Sequence, residues 1–191
     1  VKLVYRDAIR NAQVFFLDRI AADSKVLILG GGSGWLLEEL SKINTDVTVV
    51  YVEASKVMLT KAKKYANLPF TDIRFVHGTE KDIEGEQFDF VITPFVLDVL
   101  PSIEMLEMVN SIKKLMFPDG LWLCVDFNLF DRSIKARLLS FTMIYFFRVV
   151  SGLKTKELLD YFGAIKQVGG ETITHQYFYN KFIKAELFRV K

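Results

Sequence analysis

Four apolar residues, Val26-Leu27-Ile28-Leu29, run straight into Gly30-Gly31-Gly32-Ser33-Gly34, and helical spacing of apolar residues begins at once with Trp35. A short, unbroken apolar run bounded by glycine is the pattern of a strand buried on both faces. The glycines let the backbone bend tightly and let a ligand approach the main chain with no Cβ in the way. Free N–H groups where the helix starts would face that ligand. A chain carrying this unit is constrained to an α/β fold with a binding crevice at the end of its first strand. The spacing departs from the dinucleotide fingerprint G-x-G-x-x-G, because Trp35 stands where a small residue permits close helix packing. No Gly-Lys-Ser/Thr follows, so the segment is not a phosphate-cradling P-loop.

The rest of the chain alternates in the same way. Strands are expected at 47–52, 73–76, 88–92 and 121–127. Helical spacing fills the intervals: 35–43, then a helix capped by Ser55 and ended by Asn67-Leu68-Pro69, then one capped by Ser102 that carries Leu106, Val109, Ile112 and Leu115. Pro118-Asp119-Gly120 reads as a turn, Pro presetting φ and Gly allowing it to become positive. Beyond strand five, 133–150 and 155–165 read as helices, and 172–179 with 182–190, joined at Asn180-Lys181, as an antiparallel hairpin. Five strands with intervening helices imply right-handed crossovers and a mostly parallel sheet. With no repeats and no linker-like tracts, 1–191 is expected to be one domain.

Composition narrows the class. At 191 residues, 51% hydrophobic and 25% charged, the chain can build a core, which excludes intrinsic disorder. A net charge of only +2 gives no reason to expect nucleic-acid binding. The lone Cys124 excludes an internal disulfide and a thiolate-caged zinc, and His77 and His175 are too few for a histidine-rich metal site. A cytoplasmic protein, monomeric or homodimeric, is the expectation. The chain opens on Val1 rather than Met, and its first residues show no apolar run with a cleavage site. The most apolar stretch, 138–147, is about half the ~20 residues needed to span a bilayer.

Glu53 is the second informative residue. It follows strand two directly, and in open α/β sheets a carboxylate there lies beside the first-strand loop, where it can accept from ribose hydroxyls. A nicotinamide-dependent oxidoreductase would use such a residue too. Trp35 and the terminal hairpin argue against that alternative.

The ordered set VLILGGGSG…VTVVYVEASKVML…IRFVHGT…FDFVITPFVLDVLP…LMFPDGLWLCVDF, spanning 26–127, resembles the class I S-adenosylmethionine-dependent methyltransferases, in particular those acting on small molecules. The closing hairpin looks like that family's reversed seventh strand, inserted between the fifth and sixth. The resemblance implies a doubly wound, seven-stranded sheet of order 3-2-1-4-5-7-6 with strand 7 antiparallel, and S-adenosylmethionine as cofactor. It further implies that Gly30, Gly31 and Gly32 line the methionine and ribose, that Glu53 holds the ribose hydroxyls, and that Ala54 and Met58 pack near the adenine. Gly78, Thr79 and Glu80 occupy the loop after strand three, where many members place an Asp that accepts from the adenine amino group. Here Thr79 stands at that position, so either Glu80 substitutes or the main chain reads the base.

Thr93-Pro94-Phe95 would lie at the mouth of the methyl-transfer pocket, Thr93 toward the cofactor and Phe95 toward the acceptor. Ile92 replaces the polar residue that opens the Asn/Asp-Pro-Pro-Tyr/Phe signature, which excludes the amino-methylating nucleic-acid subclass. Asp98, His175 and His77 are the residues that could act as a general base, and none is assigned that role. A helical insertion at about 131–153 would cover the acceptor, with Tyr145 and Arg148 in contact with it; a core-packing helix is the plainer alternative for that segment. The expected function is methyl transfer to a small, partly apolar acceptor. A catalytically silent binding module on the same fold is the alternative from another class.

Overall fold

The computed structural model describes residues 2–128 and 160–191, with side chains described from Arg6 onward. Strands β1 (Ser24–Leu29), β2 (Val47–Glu53), β3 (Asp72–His77), β4 (Phe88–Pro94), β5 (Met116–Phe127), β6 (Gly170–Phe178) and β7 (Ile183–Val190) form one sheet in the order β3-β2-β1-β4-β5-β7-β6. The first five are parallel, and β7 runs antiparallel to both β5 and β6. Reading and structure agree on the seven-stranded, doubly wound architecture.

Alternate residues of each strand enter two separate cores, as the period of two requires. Val26, Ile28, Val49 and Tyr51 face the helices α1 (Lys2–Val14), α2 (Trp35–Ile43) and α3 (Lys56–Ala62). Leu27, Leu29, Val50 and Val52 face α4 (Ser102–Lys114) and α5 (Tyr161–Gln167). Burial on both faces explains why these strands are continuously apolar rather than alternating. Among the described residues no helix is long and apolar enough to cross a membrane.

Local expectations fail at four places, each for a physical reason. Helix α1 precedes the first strand, where the sequence reading places no element; it buries Ala12 in the core that faces α2 and packs Ala8, Ile9 and Val14 against it. Pro101, not Ser102, is the N-cap of α4, and Ser102 is its first residue, as Pro's fixed φ suits the helix entry. Pro118-Asp119-Gly120 does not precede β5 but lies within it. Phe88 pairs with Met116 and Phe90 with Leu121, so the extra residues bulge out, with Asp119 at φ 64°. Finally, α5 starts at Tyr161, capped by the Asp160 side chain accepting from the Gly163 N–H, and runs past the expected end at 165 to Gln167; residues 155–159 lie outside the described part.

Candidate active site

The C-terminal ends of β1, β2 and β4 meet at one edge of the sheet. Gly30 donates its N–H to the Val52 carbonyl at 2.8 Å, which ties the glycine loop to β2 as it leaves β1. The bend then uses positive φ at Gly30, Gly32 and Gly34, a region L side chains avoid. Two close approaches require the missing side chains as well. A Cβ on Gly30 would stand 2.4 Å from a methyl of Val96, and one on Gly31 would stand 2.6 Å from the Tyr51 ring. Gly32 differs: a Cβ there meets nothing within 4 Å, so this residue faces open space.

Glu53, at the end of β2, is buried, and its carboxylate is held by two main-chain donors. Gly32 N–H donates to Oε2 at 2.9 Å and Ser55 N–H to Oε1 at 2.8 Å. Each oxygen keeps a further lone pair for a ligand hydroxyl. Tyr51, a residue the sequence reading did not single out, locks the same loop from below: its hydroxyl donates to the Gly32 carbonyl at 2.9 Å. Burial, with the Glu53 charge adding to it, holds the Tyr51 phenol well above its ordinary range, so it remains a donor. The glycine loop and the strand-two carboxylate therefore meet directly.

The adjoining loops supply a rim. Ala54 and Met58 are exposed beside Glu53, and the Ala54 carbonyl lies 3.1 Å from His77 Nε2. Gly78 N–H donates to the Glu53 carbonyl at 3.2 Å. Thr79 is spent locally. Its Oγ1 accepts from the Lys81 N–H at 3.3 Å, its own N–H donates to Asp82 Oδ2 at 2.8 Å, and the pair forms a reciprocal cap on the short turn Glu80–Ile83. Glu80 is buried, and its Oε2 has no hydrogen-bond partner.

Not every expected residue presents its side chain here. Thr93 is fully buried, and its Oγ1 accepts from Trp122 Nε1 at 2.9 Å, which leaves only its main chain for a ligand. Phe95 is half-buried at the strand end, with φ 56°, and its ring packs 4.8 Å from Phe127. His175 is exposed on β6, at the edge of the sheet opposite β3, away from the crevice. Tyr145, Arg148 and the whole 131–153 insertion lie outside the described residues.

A nucleoside cofactor with two vicinal hydroxyls fits this arrangement: an oriented carboxylate with spare lone pairs stands against a loop that opens at Gly32. Residues 27–122 match the family model described as a methyltransferase domain. The chain is 29% identical over 141 residues to the mitochondrial ubiquinone biosynthesis O-methyltransferase of Schizosaccharomyces pombe, covering 69% of this chain and 47% of that protein. It is 32% identical over 114 residues to a polyamine aminopropyltransferase of Pyrobaculum aerophilum, covering 51% and 39%. The chain thus spans less than half the length of these curated relatives. Among solved structures, the N-methyltransferase NodS of Bradyrhizobium japonicum WM9, in complex with S-adenosyl-L-homocysteine, superposes with a TM-score of 0.68 at 14% identity, over 95% of this chain and 85% of that one. The family match covers the glycine loop, the strand-two carboxylate and β4, and this chain belongs to the class I S-adenosylmethionine-dependent methyltransferase family.

Proposed function

We propose that this chain transfers the methyl group of S-adenosylmethionine to an oxygen or nitrogen of a small, partly apolar acceptor. The observation that carries the reading is the contact between Gly32 and Glu53, which orients the carboxylate before any ligand arrives. In this reading the free lone pairs of Glu53 accept the two ribose hydroxyls, and Gly30, Gly31 and Gly32 line the ribose and methionine. Ala54 and Met58 cover one face of the adenine. Glu80 replaces the more usual acid as acceptor for the adenine amino group, since Thr79 is occupied as a cap and Glu80 retains an unpartnered oxygen. Gly78 allows the chain to pass close to the base, and Thr93 contributes main-chain atoms.

When bound, S-adenosylmethionine supplies an electrophilic methyl group on a sulfonium. The protein's share is to hold the acceptor in line and to keep water out. Phe95 forms an apolar wall at the mouth. Tyr145 and Arg148 are assigned to the acceptor on the sequence alone, within a single domain whose 131–153 segment covers it. No general base is assigned, and an acceptor that is already a free nucleophile at neutral pH requires none. The name of the fission-yeast relative, an O-methyltransferase of ubiquinone biosynthesis, supports an acceptor oxygen as the first class to test. We place the protein in the cytoplasm, a reducing compartment that suits the buried, free Cys124.

The deciding experiment is a thermal-shift comparison of S-adenosylmethionine, S-adenosylhomocysteine and NADH. A ligand confined to the native state stabilises it by roughly 2.7 kcal/mol at a hundred times its dissociation constant. Stabilisation by the two adenosyl compounds, and its loss in Glu53→Ala, is the expected result. Stabilisation by NADH alone would overturn the reading.

A further inference from the structure

The two edges of the sheet are guarded differently. An edge strand presents a row of unpaired N–H and C=O groups, which take up a further strand unless something blunts it. At one edge, β3 carries Asp72 and Arg74, and Arg74 is ion-paired with Glu86. At the other, β6 begins with Gly170 and Glu171, the latter ion-paired with Lys191, and continues as Thr172-Ile173-Thr174-His175-Gln176-Tyr177-Phe178. These seven residues include no Asp, Glu, Lys, Arg or Pro, and Thr, Ile, Tyr and Phe favour strands. Among the described residues β6 has a strand on one side, β7, and none on the other.

The pairing with β7 divides β6 in two. The register slips between Thr172 and Thr174, which leaves Ile173 as the extra residue, 45% exposed. A bulge of this kind bends the first part of the strand away from a straight partner. From Thr174 to Phe178 the ladder is regular. Alternation sends Thr174, Gln176 and Phe178 to the face of α1, opposite Leu187, Ala185 and Ile183. It sends His175 and Tyr177 to the other face, opposite Glu186 and Lys184, whose side chains reach Lys166 and Phe162 of α5. Aromatic surface flanks the regular stretch on both faces. The Phe15 ring, 48% exposed, stands edge-on to Phe178 at 5.4 Å, and His175 stands edge-on to Tyr177 at 5.1 Å.

Run antiparallel to a second copy, this stretch is its own complement. With a two-fold axis at Gln176, the two Gln176 side chains face each other, His175 of each copy faces Tyr177 of the other, and Thr174 faces Phe178. No like charges are opposed. The pairing consumes the unguarded edge of each copy, so that both outer edges of the joined sheet are β3, with its Asp72 and Arg74. Growth therefore stops at two copies, which a foreign strand laid on β6 would not ensure.

We propose that this chain forms a two-fold dimer by antiparallel pairing of β6 with β6 of a second copy, centred on Gln176. The dimer does not depend on the chemistry assigned to the crevice, which is built at the ends of β1, β2 and β4. Five residues a side and their flanking rings place the contact in the small class of interfaces, below about 1,200 Å², so assembly depends on concentration.

The test is sedimentation equilibrium between about 1 μM and about 0.5 mM, with amide exchange on the same samples. Wild type is expected to pass from the 22.0 kDa monomer to a dimer and no further, while the amides of 174–178 gain protection in step. Gln176→Lys and Gln176→Glu each set like charges face to face and should weaken the dimer about fivefold, the upper end for a cross-strand pair. An equimolar mixture of the two should restore it, and Asp72→Lys, on the opposite edge, should leave it unchanged. Gln176 is exposed, and circular dichroism checks that both variants fold. Should either fail to fold, the exchange profile of wild type decides alone. A wild type that stays monomeric, or one that assembles beyond two copies, sinks the proposal. So does a dimer indifferent to both Gln176 variants, or a mixture that restores nothing. Protection of 174–178 that is the same at every concentration does so too, since the edge is then covered within a single chain.

Discussion

Two buried acidic sites stand at the C-terminal ends of the parallel strands, and they differ in what surrounds an otherwise similar pair of main-chain donors. Glu53 is met by two main-chain N–H groups, donated by residues in turns that have no other use for them. Asp126 is also met by two main-chain N–H groups, those of Phe127 and Asp98, but beside it a carboxyl oxygen of Asp98 and the Tyr161 phenol are buried without a partner. The first arrangement stabilises a charge and leaves lone pairs facing a ligand. The second is closed over and fastens the turn after β4 through the Asp98 N–H. What separates them is access: the glycine loop opens at Gly32, where a Cβ would meet nothing within 4 Å, whereas Asp126 has no exposed surface.

Breaking the first site should have the largest effect. Glu53→Ala removes the acceptor and leaves the Gly32 and Ser55 N–H groups without it; binding of S-adenosylhomocysteine by calorimetry is expected to fall at least a hundredfold, about 2.7 kcal/mol. Gly31→Ala drives a methyl into the Tyr51 ring and should cost about 1–3 kcal/mol of stability in urea unfolding, with the midpoint moved and the slope unchanged. Glu80→Ala tests the adenine assignment. A loss of affinity of about tenfold is expected, against little for Thr79→Ala, whose effect should instead be a stability loss of about 1 kcal/mol from the missing cap.

The second site responds to pH with a definite sign. Burial raises the Asp98 carboxyl from its ordinary 3.8 to about 7. Below about pH 4 folded and unfolded chains both hold that proton, and stability is undiminished. Between there and about pH 7 the unfolded chain gives it up first, so stability falls as pH rises. Urea midpoints measured across that window should decline in wild type and decline less in Asp98→Asn. Tyr161→Phe should be the mildest change of all. It removes a hydroxyl that has no partner, so a neutral effect or a gain of up to about 1 kcal/mol is expected.

The fold was legible because its strands are buried on both faces and read as unbroken apolar runs, while glycine marks where β1 ends. Glu53 was legible for a related reason, as a charge placed at the end of such a run. The Asp98–Asp126 pair was hidden because its members are 28 positions apart and meet across strands that the sequence does not align. A signal did exist: Asp126 interrupts an otherwise apolar strand, Leu121 to Phe127, and an acid there has to find a partner. Tyr51 was masked by its neighbours, since an aromatic in a valine-rich strand looks like filling. Pro118-Asp119-Gly120 misled because turn chemistry also serves a bulge, and only the pairing with β4 separates the two.

The position of β7 carries a consequence for how the molecule is made. It is the last strand in chain order, yet it sits inside the sheet, between β5 and β6. During synthesis β6 emerges with no neighbour to dock on, and the half-sheet from β3 to β5 waits with an open flank until Ile183–Val190 leaves the ribosome. The newborn chain is most exposed to unwanted strand pairing in that interval.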